Sequence, residues 1–136
     1  MGREARVLIN REPDIVVARQ QGRDLAVELG FTPGDLALIA TAISEITRNV
    51  IQYATGGEMT ARVVSDDKAR RGVEIVVQDQ GPGIPNLHQA MQDGYSTGGG
   101  LGLGLPGARR LMDEFEITTK AGQGTRVVMR KWVRAR

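Results

Sequence analysis

A chain of 136 residues, 40% hydrophobic and 25% charged, has the length for one ordinary hydrophobic core, and a single domain over residues 1–136 is expected. With no cysteine it can form neither disulfides, zinc–thiolate sites nor thiol nucleophiles, and with no run of eighteen apolar residues or signal-peptide pattern the expectation is a soluble, unprocessed, cytoplasmic protein without a membrane partner. A net charge of +2, with 4% aromatic residues, argues against nucleic acid, and the basic end (Arg130, Lys131, Arg134, Arg136) reads as a solvated strand end, with a patch for an acidic partner as the alternative.

In chain order, residues 6–11 (RVLINR) suit a first strand, after which Pro13 sits where the first turn of a helix tolerates it. Ile15, Ala18, Gly22, Leu25, Ala26 and Leu29 then recur at helical spacing until Gly30 closes the segment. Thr32-Pro33-Gly34-Asp35 supplies an N-cap, an N1 proline and an acid three residues on. The second helix that starts there buries a stripe of Leu36, Ile39, Ala40, Ile43, Ile46, Thr47 and Val50 and stops before Gly56-Gly57. Residues 59–64 and 73–79 form the next two strands, antiparallel across a polar turn, so that Asp79 ends a strand. A glycine- and proline-broken stretch from 81 to about 100 follows, with a short helical turn at 87–91, and its length fits a lid. A third helix over about 103–114, with Ala108, Leu111, Met112 and Phe115 on one face, precedes strands near 116–119 and 125–133. The order β-α-α-β-β-loop-α-β-β has too few helices to cover both faces of a sheet. It predicts a two-layer α/β (α+β) sandwich, its sheet mixed but mainly antiparallel, with helices on one face.

Nine of the eighteen glycines fall between Gly81 and Gly107, and glycine is the residue that lets backbone approach a ligand closely. Gly102-Leu-Gly104-Leu-Pro-Gly107 matches the dinucleotide fingerprint GxGxxG in letters only. That motif follows a strand and has an acid about twenty residues on, whereas here a glycine-rich loop precedes it and residues 120–125 hold no acid. No Walker A loop and no catalytic-loop or DFG-type sequence of the common protein-kinase fold occurs. On the second helix Glu45 and Asn49 stand four apart and share a face. A carboxylate beside a carboxamide suits phosphoryl transfer, the acid taking a proton from an attacking hydroxyl and the amide oxygen helping to hold Mg²⁺. Alone, this pair is indistinguishable from a solvated polar face.

Glu45-x-x-x-Asn49, Asp79-x-Gly81-x-Gly83, the run from Gly98 to Gly104, and Gly122-x-Gly124-Thr125 resemble, in order and interval, the N, G1 and G2 boxes and terminal Gly-x-Gly-Thr of the GHKL ATPase and kinase superfamily, with its Bergerat nucleotide fold. The resemblance spans nearly the whole chain. The phrases at 42–45, 79–85, 94–97 and 105–115 look most like the serine/threonine kinases of bacterial stressosomes, with the anti-sigma kinases as close relatives. It implies ATP with Mg²⁺ as cofactors, Glu45 as the catalytic base and Asn49 as the metal ligand. Asp79 would accept from the adenine amine, with Gly81 and Gly83 letting the chain pass the base. The Thr125 hydroxyl would support Asp79 and the purine. Backbone N–H groups along Gly98, Gly99, Gly100, Leu101, Gly102, Leu103 and Gly104 would cradle the phosphates at a helix N-terminus.

One departure stands out: from Gln80 to Leu105 there is no Lys or Arg, where relatives carry a lid cation for the γ-phosphate. His88 reads as an exposed loop imidazole. Mg²⁺, backbone amides, a distant Arg such as Arg48 or Arg109, or a partner residue are left as alternatives for the transition-state charge, Arg48 otherwise reading as a helix-surface ion pair with Glu45. The resemblance implies STAS-domain antagonist and scaffold proteins as substrates and a PP2C-type phosphatase as a further partner. The alternative is an anti-sigma factor and kinase that sequesters a sigma factor. Dimerisation is left open.

Overall fold

The structure, a computed structural model, describes residues 4–54, 56–81, 91 and 104–134. Five strands, β1 (Glu4–Ile9), β2 (Gly57–Ser65), β3 (Arg71–Asp79), β4 (Glu114–Lys120) and β5 (Gly124–Trp132), form one sheet in the order β1-β2-β3-β5-β4. All four pairings are antiparallel, so the described sheet has no parallel component. Three helices are described, α1 (Pro13–Val27), α2 (Pro33–Tyr53) and α3 (Gly104–Leu111). The two-layer α/β sandwich is as the element order implies.

Register explains which face the helices cover, because side chains alternate along a strand. The row Val7–Met59–Val77–Val127–Ile117 crosses all five strands and is apolar throughout. It joins Ile39, Ile43, Ile46 and Val50 of α2 and Leu25 and Ala26 of α1 in the core. On the opposite face the row Glu4–Arg62–Glu74–Arg130–Glu114 alternates in charge. Glu74, in its middle, accepts from Arg62 Nε at 2.7 Å and Arg130 Nε at 2.8 Å. Burial favours the neutral acid there, and the two guanidinium groups outweigh it, so the carboxyl stays below its ordinary pKa.

Local chemistry sets the helix ends. Pro13 occupies the first turn of α1, and the Asp14 carboxylate accepts the N–H groups of Asn10 and Arg11. Thr32 caps α2 by accepting from the Asp35 N–H at 3.1 Å. Thr47, fully buried in α2, returns its hydroxyl to the Ile43 carbonyl at 2.7 Å.

The third helix is shorter than its spacing predicts. It stops at Leu111, and Glu114 and Phe115 open β4 instead of continuing the helix. Bonds to β5 override the local pattern: Asp113 accepts the Trp132 N–H at 2.8 Å, and Glu114 accepts the Trp132 indole N–H at 2.6 Å. Lys131, only 6% exposed, donates to the last carbonyl of α3, Leu111 O, at 2.9 Å. The first strand is also displaced toward the N-terminus, at Glu4–Ile9 where 6–11 is expected.

Candidate functional site

Asp79 closes β3 on the helix-bearing face, two residues beyond buried Val77. Its Oδ1 accepts two backbone donors, the Gly81 N–H at 2.8 Å and the Thr125 N–H at 3.2 Å. Among the described residues no bond falls on Oδ2, which leaves one oxygen of an oriented carboxylate for an amine donor. The surrounding backbone is close. A Cβ at Gly81 would stand 2.7 Å from Ala54 Cβ and 3.2 Å from Asp79 Oδ1. Gly124 has φ +103°, and a Cβ there would run into the Asp79 main-chain carbonyl. A cleft of about 140 Å³ at this strand end is lined by Asp79, Gly124 and Thr125 but also by Gln78, Thr118, Lys120 and Arg126, which alternate onto the face away from the helices, so it opens on the far side of the sheet from α2 and α3.

Thr125 meets Asp79 differently from the expectation. Its backbone N–H makes the contact, while its hydroxyl lies 3.1 Å from the Thr119 hydroxyl across the β4–β5 pair. Thr125 thus holds the carboxylate without using its side chain. Gly57 is a neighbour that sequence reasoning missed, having been read only as a helix stop. It pairs with Asp79 across β2–β3, and a Cβ there would stand 3.2 Å from Asp79 Cβ. The cross-strand register is what reveals it.

Glu45 lies on the partly buried side of α2, its side chain 13% exposed. One carboxylate oxygen accepts from Arg48 Nη1 at 3.2 Å, and the other accepts from the N–H of Gly104, the first residue of α3, at 3.2 Å. An acid at a helix N-terminus is favoured by the unpaired N–H groups and dipole there, and those groups receive phosphates equally well. Asn49 follows one turn along α2 and makes no hydrogen bond among the described residues. A carboxamide there suits Mg²⁺, which takes few protein ligands and completes its shell with phosphate oxygens and water.

α2 connects the two clusters. Ala54, its C-cap, touches Gly81, and Glu45 lies nine residues earlier. That is about 13 Å of helix, comparable with an extended nucleoside triphosphate. Glu45 and Gly104 are thus brought together at one end, and Asp79, Gly81 and Thr125 at the other. Gly83, Gly98, Gly99, Gly100, Leu101, Gly102, Leu103 and His88, with most of the expected lid and its 87–91 turn, lie outside the described residues. Arg109 is exposed on α3. No described helix is long and apolar enough to cross a membrane.

Residues 10–131 match the family model described as Histidine kinase-like ATPase domain. The chain is 50% identical over 134 residues to the serine/threonine-protein kinase RsbT of Bacillus subtilis, covering 98% of this chain and 100% of that one. It is 31% identical over 120 residues to the anti-sigma F factor of Clostridium acetobutylicum, covering 84% of this chain and 82% of the relative. Among solved structures, the RsbU and RsbW domains of a Mycobacterium tuberculosis protein superpose with a TM-score of 0.65 at 20% identity. That match covers 99% of this chain and 33% of the longer one, and it speaks for the fold alone. A matched family model over most of the chain and a relative at half identity over both full lengths agree: the chain belongs to the histidine kinase-like ATPase domain family.

Proposed function

We propose that this protein is a Mg-ATP-dependent serine/threonine kinase that phosphorylates STAS-domain proteins in a bacterial stress-signalling, partner-switching module of the cytoplasm, and that when released it activates a PP2C-type phosphatase. The kinase activity rests on the near full-length similarity to RsbT. The observation that carries the chemistry is the Glu45 carboxylate bonded to the Gly104 N–H, which sets a base against a helix end suited to phosphate.

Asp79 Oδ2 accepts the adenine amine, and a carboxylate cannot donate to the ring carbonyl of guanine, so the site favours ATP over GTP. The α3 N-terminus holds phosphates through backbone N–H groups. Asn49 would hold Mg²⁺, which supplies neutralisation of phosphate charge. The partner's Ser or Thr hydroxyl gives its proton to Glu45 as its oxygen bonds to the γ-phosphorus. The bond from that phosphorus to the β,γ-bridging oxygen breaks, and ADP leaves with the electron pair.

Incubation with labelled ATP and candidate STAS proteins tests this reading. Transfer to a Ser or Thr is expected, and Glu45→Gln should cut it by roughly 10²–10⁴ while nucleotide affinity stays within a few-fold. Full transfer by Glu45→Gln would remove the base assignment. The second reading, sequestration of a sigma factor, is favoured by the similarity to anti-sigma F factors. Direct recovery of a sigma factor with the protein, and no transfer to any STAS protein, would select it.

A further inference from the structure

We infer that Arg48 is the positioning residue for Glu45, the group that keeps this carboxylate in place once nucleotide phosphates take the Gly104 N–H. The inference rests on the reading of Glu45 as the base. Glu45 has two ties, one on each oxygen, and both are 3.2 Å long. They are not equivalent. The Gly104 N–H belongs to a helix end suited to anions, so a bound phosphate competes for the same donor and repels the carboxylate beside it. The Arg48 tie is not contested in that way, since it lies on the same helix as Glu45, three residues on, and moves with it.

Arg48 has the exposure and chemistry for this task. Its side chain is 40% exposed, and among the described residues Glu45 is its one partner. A guanidinium presents five N–H donors in a rigid fork, so holding one carboxylate oxygen leaves others for phosphate or substrate. Arg62 and Arg130 are bonded to Glu74 on the opposite face of the sheet, and Lys131 is bonded at the far end of α3. Residues 80–105 contain no Lys or Arg. As a bare i,i+3 helix pair, Glu45–Arg48 contributes little to stability, so its removal should register in turnover and not in folding.

The test compares wild type, Arg48→Met, Arg48→Lys, Glu45→Gln and the double variant Arg48→Met/Glu45→Gln. Readouts are kcat and KM for ATP with the STAS acceptor of the transfer assay, calorimetric affinity for Mg-ADP, and the thermal midpoint. Arg48→Met should lower kcat about 10- to 100-fold, the scale of a misplaced catalytic group, with KM, Mg-ADP affinity and midpoint nearly unchanged. Arg48→Lys should recover part of the rate, and the double variant should be no slower than Glu45→Gln. Full kcat in Arg48→Met beside an inactive Glu45→Gln would overturn the positioning role and leave the base intact. Multiplying losses in the double variant, or a loss of Mg-ADP affinity equal to the loss of kcat, would overturn it too, because Arg48 would then act on its own. Full transfer by Glu45→Gln would remove the base and this inference together.

Discussion

Glu74 and Asp79 are two carboxylates on one strand, five residues apart and therefore on opposite faces of the sheet. Glu74 has both oxygens engaged by guanidinium groups, inside a row of alternating charge that crosses five strands. Asp79, among the described residues, has one oxygen engaged, by backbone N–H groups alone, in a collar of glycines that keeps side chains away. The first arrangement fulfils the acid's bonding within the fold. The second orients the acid and leaves an acceptor over. Glu74 is buried and Asp79 half-buried, and what separates the structural carboxylate from the recognising one is unfilled bonding capacity among the described residues.

The strongest blow to this contrast is expected from Gly124→Ala. The substitution forces a side chain onto φ +103° and into the Asp79 carbonyl, and should cost about 3–5 kcal/mol in urea unfolding, with nucleotide binding lost. A small effect would mean that the collar is slack. Next come the paired substitutions Asp79→Asn and Glu74→Gln. The first should weaken ATP binding about 10- to 100-fold with little change in stability, since a bond to a charged acceptor is lost. The second should leave affinity within about twofold and cost roughly 2 kcal/mol of stability. Equal losses of affinity in both would erase the distinction.

A pH titration sharpens it further. The folded Glu74 carboxyl lies below its ordinary 4.5, so its contribution is present above that value and is lost as pH falls through the folded pKa. The stability gap between wild type and Glu74→Gln should thus be full at about pH 6 and shrink progressively below about pH 4.5, read as urea midpoints. A gap independent of pH would show that the guanidinium pairs do not favour the ionised form. The smallest effect is expected from Thr125→Val, which keeps the N–H that holds Asp79. ATP affinity should stay within about threefold and stability fall by about 0.5–1 kcal/mol for the lost hydroxyl pair. A tenfold loss of affinity would return the hydroxyl to the binding site.

Features encoded over a few residues were legible in the sequence. The Thr32 cap, Pro13 at a helix start, the α2 stripe and Asp79 at a strand end each depend on neighbours within a turn or a strand length. Features that depend on register were not. Gly57 acquires its place beside Asp79 through β2–β3 pairing, and Glu74 reads as an ordinary alternating acid until Arg62 and Arg130 are set on either side of it. The end of α3 failed for the same cause. Asp113, Glu114 and Phe115 continue a helical spacing, and only the docking of Trp132 shows why they leave it. The Arg48–Glu45 pair was visible as spacing, but the Gly104 tie that gives it meaning spans 59 residues of sequence.

β5 touches the Asp79 carboxylate and the far end of α3 at once. Its Thr125 N–H holds the carboxylate at the base end, and its Lys131 ammonium clamps the last carbonyl of α3. The six-residue step from one to the other, about 20 Å of extended chain, acts as a ruler that sets α3 relative to Asp79. Point substitutions along this ruler leave its graduations intact, whereas inserting or deleting one residue between Thr125 and Lys131 moves the ammonium to the other face of the sheet. Between Thr125 and Lys131 the chain should therefore tolerate changes of identity far better than any change in length.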